Sequence, residues 1–432
     1  MSVLGAVVVG GGQAGLAVSY HLAQRGVDHV VIERGRVGET WRSQRWDSFA
    51  LNTPGWLNPL PGDPGDATER DAFASGAAFV GRLATFAGRH GLPVRTETTV
   101  MRVAADGTGD DGFVVSLADP DGAGSVERIR SRTVVVASGI LNVPRIPPLA
   151  ASLPADLLQL TAASYRNPAA LPPGAVVVVG AAQSGVQIVE DLVEAGRTVY
   201  LCTSAVNRLR RRYRGGDAFH WLAKAGFWEM TIAGLPDPAM QWWPNPQTSG
   251  VGPLGHTVSL QWLAARGAIL LGRPRSMDGS RLVLDDTVGA NIAFADRGSL
   301  ALSAMMDRGI AAAGVKPPAV EPDPADEPHP DPLSVHSPAE LDLRAAGVRT
   351  IVWTTGFGGA FAYLPSAALD GQGAPLHDRG VGPLPGLFHI GYPWLTKRRS
   401  GIIAGVDEDG AGIADFVARR LAGARAAAGS EE

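Results

Sequence analysis

Two glycine clusters are the residues of this chain best suited to chemistry. Gly10-x-Gly12-x-x-Gly15 follows Val7-Val8-Val9, and Gly180-x-Ala182-x-x-Gly185 follows Val176-Val177-Val178-Val179. In such a pattern the first glycine permits a tight turn. The second lets the backbone approach a pyrophosphate, and the third lets helix pack closely on strand. The helix that opens there offers unpaired N–H groups and the positive end of its dipole to phosphates. The chemistry expected is dinucleotide binding, at two places.

The two clusters differ where specificity is set. Glu33 ends the second strand of the first unit, eighteen residues after Gly15. An acid there accepts hydrogen bonds from ribose hydroxyls and repels a 2′-phosphate. Its counterpart in the second unit is Thr203, followed by Ser204, with Arg208, Arg210, Arg211, Arg212 and Arg214 close behind. Neutral hydroxyls beside guanidiniums suit a 2′-phosphate through charge-assisted contacts, which favours NADPH over NADH. The bland alternative is a solvated arginine run. Ala182 adds a methyl where the second unit should come closest to a pyrophosphate.

Both clusters belong to an internal repeat. Residues 6–34 and 176–204 fall in register under a shift of 170, matching Gly10 with Gly180, Gln13 with Gln183, Gly15 with Gly185 and Gly26 with Gly196. Each copy runs from a buried β-branched strand through the glycine turn to a helix, a closing glycine and a second strand. That is a β-α-β unit, whose crossover favours a parallel sheet covered by helices. The fold class predicted is α/β, with two Rossmann-like dinucleotide-binding domains and three-layer parallel sheets. Residues 95–136 alternate apolar segments with Asp/Gly turns and predict an accessory β-meander. Two further strands end in small residues, at Ala137-Ser138-Gly139 and Thr354-Thr355-Gly356, where a chain can pass close to a dinucleotide.

The bulk numbers exclude several classes. A chain of 432 residues suits about two domains. A net charge of −4 gives no basic excess for nucleic acid or anionic lipid. The single cysteine, Cys202, rules out an internal disulfide, a dithiol pair and a thiolate zinc site, and no metal site is expected. It fits a reducing, cytoplasmic setting. The N-terminus lacks the basic region of a signal peptide, and no apolar run is long enough for a membrane span. Residues 316–340 hold eight prolines and several acids, and read as a tethered surface segment. Trp221, Trp228, Trp242, Trp243 and His220 crowd an irregular region, either lining an aromatic pocket or packing it.

Several of these segments, in order, resemble the flavin-containing monooxygenases, in particular the CzcO-like bacterial flavoproteins and the plant YUCCA enzymes. They are the first glycine motif, Gly38-Glu39-Thr40-Trp41-Arg42, Ala137-Ser138-Gly139 with Pro144 and Pro147, and the second glycine motif. Thr354-Thr355-Gly356-Phe357 and Pro385-Gly386-Leu387-Phe388-His389-Ile390-Gly391 complete the set. The resemblance spans nearly the whole chain and implies a discontinuous FAD domain, residues 1–150 plus 346–432. An NADPH domain, residues 151–345, is inserted, with an irregular loop at about 205–262. It implies FAD on Gly10, Gly12, Gln13, Ala14, Gly15, Glu33 and Arg34, with Thr40, Trp41, Arg42, Thr53, Ser138 and Gly139 near it. NADPH would lie on Gly180, Ala182, Gln183, Ser184 and Gly185, with Thr203, Ser204 and Arg208 at its phosphate and Thr355 and Gly356 nearby. Asn52, in Leu51-Asn52-Thr53-Pro54, matches an asparagine beside the flavin and is the catalytic candidate.

The implied activity is an NADPH- and oxygen-consuming monooxygenase. It would work through a C4a-(hydro)peroxyflavin on a small organic molecule, by heteroatom oxidation or oxidative decarboxylation. The partners expected are that substrate and dioxygen, with a homodimer left open. The family fingerprint F-x-G-x-x-x-H-x-x-x-Y/F is absent before the second glycine motif, where Thr161 stands in the histidine's place. That disfavours a Baeyer–Villiger enzyme. With Ala182 it keeps two alternatives in view. One is a flavin oxidase or dehydrogenase with a degraded nicotinamide site, and the other is a non-catalytic flavoprotein.

Overall fold

The computed structural model describes residues 3–63, 67–106, 112–118 and 126–428. The first sheet grows from β1 (Leu4–Val9), α1 (Gln13–Gln24), β2 (His29–Ile32), α2 (Glu39–Ser43), α3 (Gly76–Arg89) and β3 (Val94–Arg95). The meander follows as β4 (Thr99–Ala105), β5 (Phe113–Ala118) and β6 (Val126–Val136). The turns that join its strands lie partly outside the described residues. Strand order is β3-β2-β1-β6-β5-β4, and β6 serves three partners, the third being a late strand that joins it parallel from the C-terminal end of the chain. Its first half pairs antiparallel with β5, and its second half runs parallel to β1.

A two-residue strand, β7 (Val143–Pro144), leads into the second half. There β8 (Leu158–Thr161), β9 (Ala175–Val179), α4 (Gln183–Glu194) and β10 (Val199–Cys202) build the second repeat unit. The irregular stretch that follows contains β11 (Arg212–Tyr213), β12 (Gly216–Asp217), α5 (Ala218–Lys224) and α6 (Leu260–Ala265). Next come β13 (Ile269–Leu271), the hairpin β14 (Pro274–Asp278) and β15 (Arg281–Leu284), and the long helix α7 (Val288–Ala312). The chain continues through β16 (Glu340–Asp342), β17 (Val348–Trp353) and β18 (Phe357–Gly358), and returns to the first sheet as β19 (Leu387–His389) before α8 (Val406–Ala428). The second sheet, β13-β10-β9-β17-β8, is wholly parallel.

One expected boundary moves. Residues from 346 onward were assigned to the first domain, yet β17 lies between β9 and β8 in the second sheet. The run Ile351-Val352-Trp353 is buried on both faces, and only the middle of a covered sheet provides that. The chain crosses back after Gly356, where β18 pairs antiparallel with β7. The Pro-rich segment is a tethered surface segment, as its composition suggested. Thr257, Ser299, Arg208 and Gln261 bond Asp323, Asp326 and Glu327, so it is strapped across the second half.

Each repeat unit depends on one close contact. A Cβ on Gly15 would sit 1.9 Å from the Gly10 carbonyl oxygen, and one on Gly185 would sit 1.9 Å from that of Gly180. No side chain fits between helix and turn at these points. Gly185→Ala should therefore force helix and strand apart and cost about 3 kcal/mol, the upper range for overpacking. The melting temperature of the purified protein checks this; an unchanged value would refute the close packing.

Candidate functional site

At the first turn Gly10 takes φ +112°, and its N–H donates to the Ile32 carbonyl at 2.8 Å. Gly12 stands at the start of α1 with no side-chain cap, so the first helical N–H groups point outward unsatisfied by a side chain. Among the described residues, a Cβ on Gly12 would meet no atom within 4 Å. Open space therefore faces the turn where a pyrophosphate must come close, and the cradle fits a dinucleotide.

The surrounding residues converge as expected. Glu33 is 8% exposed. Its Oε2 accepts from the Gly11 N–H at 2.6 Å and its Oε1 from the Gly35 N–H at 2.9 Å. Each oxygen keeps a lone pair for a ribose hydroxyl. Gly38 N–H donates to the Gly11 carbonyl at 3.1 Å, and Trp41 Nε1 donates to Gln13 Oε1 at 2.9 Å. These contacts fold α2 and half-buried Thr40 over the turn. Ser138 packs against Gly10, and Gly391 against Ala14. Gly139 follows with φ +81°. Arg34 and Arg42 are exposed, and Thr53 spends its hydroxyl on Asn58 Oδ1 at 2.6 Å.

The second turn repeats this geometry with altered chemistry. Gly180 has φ +111°, and its N–H donates to the Cys202 carbonyl at 3.0 Å. Ala182 takes φ −72°, ψ −177°, close to the −83°, −174° of Gly12. Alanine thus adopts the same backbone, and its methyl enters the space left open in the first unit. Where Glu33 holds Gly11, Ser204 Oγ accepts from the Ala181 N–H at 3.4 Å. The acid's place at the turn is taken by a neutral hydroxyl. Ser184 is half-buried in the first turn of α4, and Gly356 takes φ +97° beyond the strand tip. Thr355 Oγ1 donates to the Arg145 carbonyl at 2.5 Å, across the crossing between halves.

Two sequence-based assignments do not hold. Thr203 is buried; its hydroxyl donates to the Leu271 carbonyl and accepts from Asn291 Nδ2, both at 2.9 Å. It cannot face a phosphate. Arg208 is fully buried and paired with Asp296 and Asp326. The rest of the run is similarly engaged: Arg210 with Asp326, Arg211 and Arg212 with Asp217, and Arg214 with Asp307. The arginines mainly fasten the acidic strap and the irregular region. Of the proposed phosphate contacts, Ser204 alone is exposed.

Asn52 lies where the two halves meet. Gln187 Nε2, on α4, donates to Asn52 Oδ1 at 3.1 Å and to the Gly250 carbonyl at 2.8 Å. Arg211 Nη1 donates to the Asn52 carbonyl at 2.8 Å and to that of Thr248 at 3.1 Å. The segment 247–251 in turn covers the second glycine turn. Gln247 Nε2 donates to the Ala181 carbonyl at 2.6 Å, and Gln183 exchanges bonds with Thr248 and Ser249. Sequence reading missed Gln187 and this segment, and took Arg211 only as part of the arginine run. The only signals were a glutamine on the helix of the second repeat unit, and polar residues in a region without period.

The aromatic region divides. Trp221 is buried and Trp228 half-buried, in a cluster with Leu57, Phe219, Phe227 and Ala404, while Trp242 is 81% exposed and Trp243 52%. His220 is also exposed. Lys397 and Arg399 both pair with Glu229, which ties this region to the loop before α8. That loop is anchored by Asp409, whose Oδ1 accepts from Thr396 Oγ1 at 2.9 Å and Ser400 Oγ at 3.1 Å. Burial lifts the Asp409 carboxyl to about 6, against the pull of those hydroxyls. Burial pushes the Cys202 thiol up to about 12, so it is inert. Among the described residues no metal-binding cluster occurs. No helix among them is long and apolar enough to cross a membrane.

Comparison with known proteins agrees with this geometry. A family described as pyridine nucleotide-disulphide oxidoreductase matches residues 7–214. An uncharacterized CzcO-like oxidoreductase from Geobacillus kaustophilus is 27% identical over 93% of this chain and 95% of its own length. The indole-3-pyruvate monooxygenase YUCCA1 of Oryza sativa is 32% identical over 44% of this chain and 46% of its own length. In fold, a flavin-containing monooxygenase from Stenotrophomonas maltophilia superposes with a TM-score of 0.63. It is 18% identical and covers 98% of this chain and all of its own.

Arg208→Ala should leave Asp296 buried without its charge partner and Asp326 with Arg210 alone, and cost about 3–5 kcal/mol. Denaturant unfolding measures that loss, and a stable variant with selectively weakened NADPH binding would contradict the assignment. For Asp409, the folded carboxyl binds its proton more tightly than the ordinary 3.8. Ionisation in the folded state therefore costs stability. That cost is absent below about pH 4, grows to about pH 6 and is full above, near 3 kcal/mol at about 1.4 kcal/mol per tenfold. Asp409→Asn should raise the melting temperature at pH 8 and leave it nearly unchanged at pH 4.

Proposed function

We propose, on the premise that this chain belongs to the flavin monooxygenase superfamily, that it is an NADPH-dependent, single-component FAD monooxygenase of a small organic molecule. It is an oxidoreductase, with FAD and NADP(H) as its cofactors. The observation that carries the reading is the pairing of two glycine turns with Asn52 held between their halves. FAD would rest on Gly10, Gly12, Gln13 and Gly15, with its ribose on Glu33. The nicotinamide dinucleotide would rest on Gln183, Ser184 and Gly185, with Ser204 at its ribose. When bound, flavin supplies hydride acceptance and two-electron activation of dioxygen.

The chain's own residues do the rest. The uncapped starts of α1 and α4 hold the phosphates. Gln187 and Arg211 hold Asn52 by both its amide oxygen and its carbonyl; its Nδ2, without a partner among the described residues, would donate beside the flavin. The aromatic cluster around Leu57 and Phe219 excludes water from that side. The substrate gains one oxygen atom by heteroatom oxidation or oxidative decarboxylation, while the other leaves as water. Disulfide exchange is a poor rival, because the single Cys202 is buried and cannot form a dithiol.

A second reading has specific support. The methyl of Ala182, the segment 247–251 over the turn, and the commitment of Arg208 all weigh against tight NADPH binding. They favour an oxidase or dehydrogenase that draws electrons from its substrate. Anaerobic stopped-flow reduction of the FAD-loaded protein separates the two. Fast bleaching by NADPH, slower with NADH, supports the monooxygenase; bleaching by neither transfers support to the oxidase. Ala182→Gly should tighten NADP⁺ binding by about tenfold, roughly 1.4 kcal/mol, as titration calorimetry would detect. An unchanged affinity would mean the methyl is not in the way.

A further inference from the structure

The mechanism leaves one buried polar cluster unused. His389, the last residue of β19, is fully buried, and neither ring nitrogen has a hydrogen-bond partner among the described residues. Nor has the Tyr392 hydroxyl or His377 Nδ1. The three rings touch one another, with centroids 5.6 Å apart for His377 and His389, 5.0 Å for His377 and Tyr392, and 5.8 Å for His389 and Tyr392. Orphaned buried polar atoms destabilise a fold, and four in one place call for ordered water, which needs several polar partners.

The location gives this cluster a task. His389 pairs in register with Val136 at the tip of β6, and the next two residues there are Ala137 and Ser138. Ser138 packs on Gly10 and shares a hydrogen bond of 2.9 Å with the Tyr363 hydroxyl. Gly391, beside Tyr392, packs on Ala14. One end of the cluster thus abuts the first dinucleotide cradle. The other end, His377, is half-exposed beside exposed Asp378. Burial holds His389 down to about 3, so its ring stays neutral and can both donate and accept.

Monooxygenation needs such a path. The balance is NADPH + H⁺ + O₂ + substrate giving NADP⁺ + H₂O + oxygenated substrate. NADPH supplies two electrons and the substrate two, dioxygen takes all four, and one proton enters from solvent each turnover. We propose that His377, His389 and Tyr392 line a hydrated channel delivering this proton from solvent to the cofactor edge at Ser138 and Gly391. The three act as proton-positioning residues, and the inference rests on the monooxygenase reading above.

The test uses the FAD-loaded protein and its Tyr392→Phe, His389→Phe and His377→Ala variants. All three should retain stoichiometric FAD. Oxygen-coupled turnover should fall on the order of 100-fold in the first two, the low end for a positioned proton donor, with a larger solvent deuterium isotope effect. Added imidazole should restore much of the His377→Ala rate. A readout independent of turnover is ¹⁵N-histidine NMR of the apoprotein, where the His389 ring should exchange magnetisation with water. Variants that turn over like wild type and melt higher, as loss of a dry orphaned group predicts, would overturn the channel; so would a His389 ring silent to water. A wild-type protein with a wet His389 but no oxygen turnover would instead sink the monooxygenase reading beneath it.

Discussion

The approach of a helix to its preceding turn, with no room for a side chain, is the constraint on which the molecule depends. It occurs at Gly10 and Gly15 and again at Gly180 and Gly185, with the same 1.9 Å clearance. Because helix and strand meet so closely, the start of each helix is held at the strand tips, uncapped and facing outward. A cradle of the shape a phosphate would fit follows from this packing. Everything specific is then added at the tips, where Glu33 or Ser204 closes the turn and Ser138 or Thr354 lies against it.

The two cradles are joined through polar side chains. Asn52 comes from the first half, while Gln187 and Arg211 come from the second, and both donors also hold the segment that covers the second turn. Any movement of that segment pulls on Asn52. The arginine run and the acidic strap play the complementary structural part. Their buried pairs are ruinous to break singly, so they brace the irregular region around the site.

What was legible in the chain was local. The glycine turns, the strand runs and the acid at Glu33 act over a span of about 30 residues, so spacing alone exposes them. Where reading failed, the partner was distant. Arg208 looked free because Asp296 and Asp326 lie 88 and 118 residues away. Thr203 looked available because Leu271 and Asn291 reach it from 68 and 88 residues on. The placement of β17 was missed for the same reason: a buried apolar strand does not state which sheet will bury it.

By itself, the sequence determined the two β-α-β units, their glycine cradles and the loss of an acid from the second. Those features follow from steric rules on the backbone of neighbouring residues. Only the tertiary structure decided which charges remain free, which segment covers the second cradle and which side chains hold Asn52. It also decided that the His389 ring would be buried without a hydrogen-bond partner among the described residues. Charge pairing, burial and polar satisfaction are set by whichever groups the fold brings near, and sequence separation carries no record of that proximity.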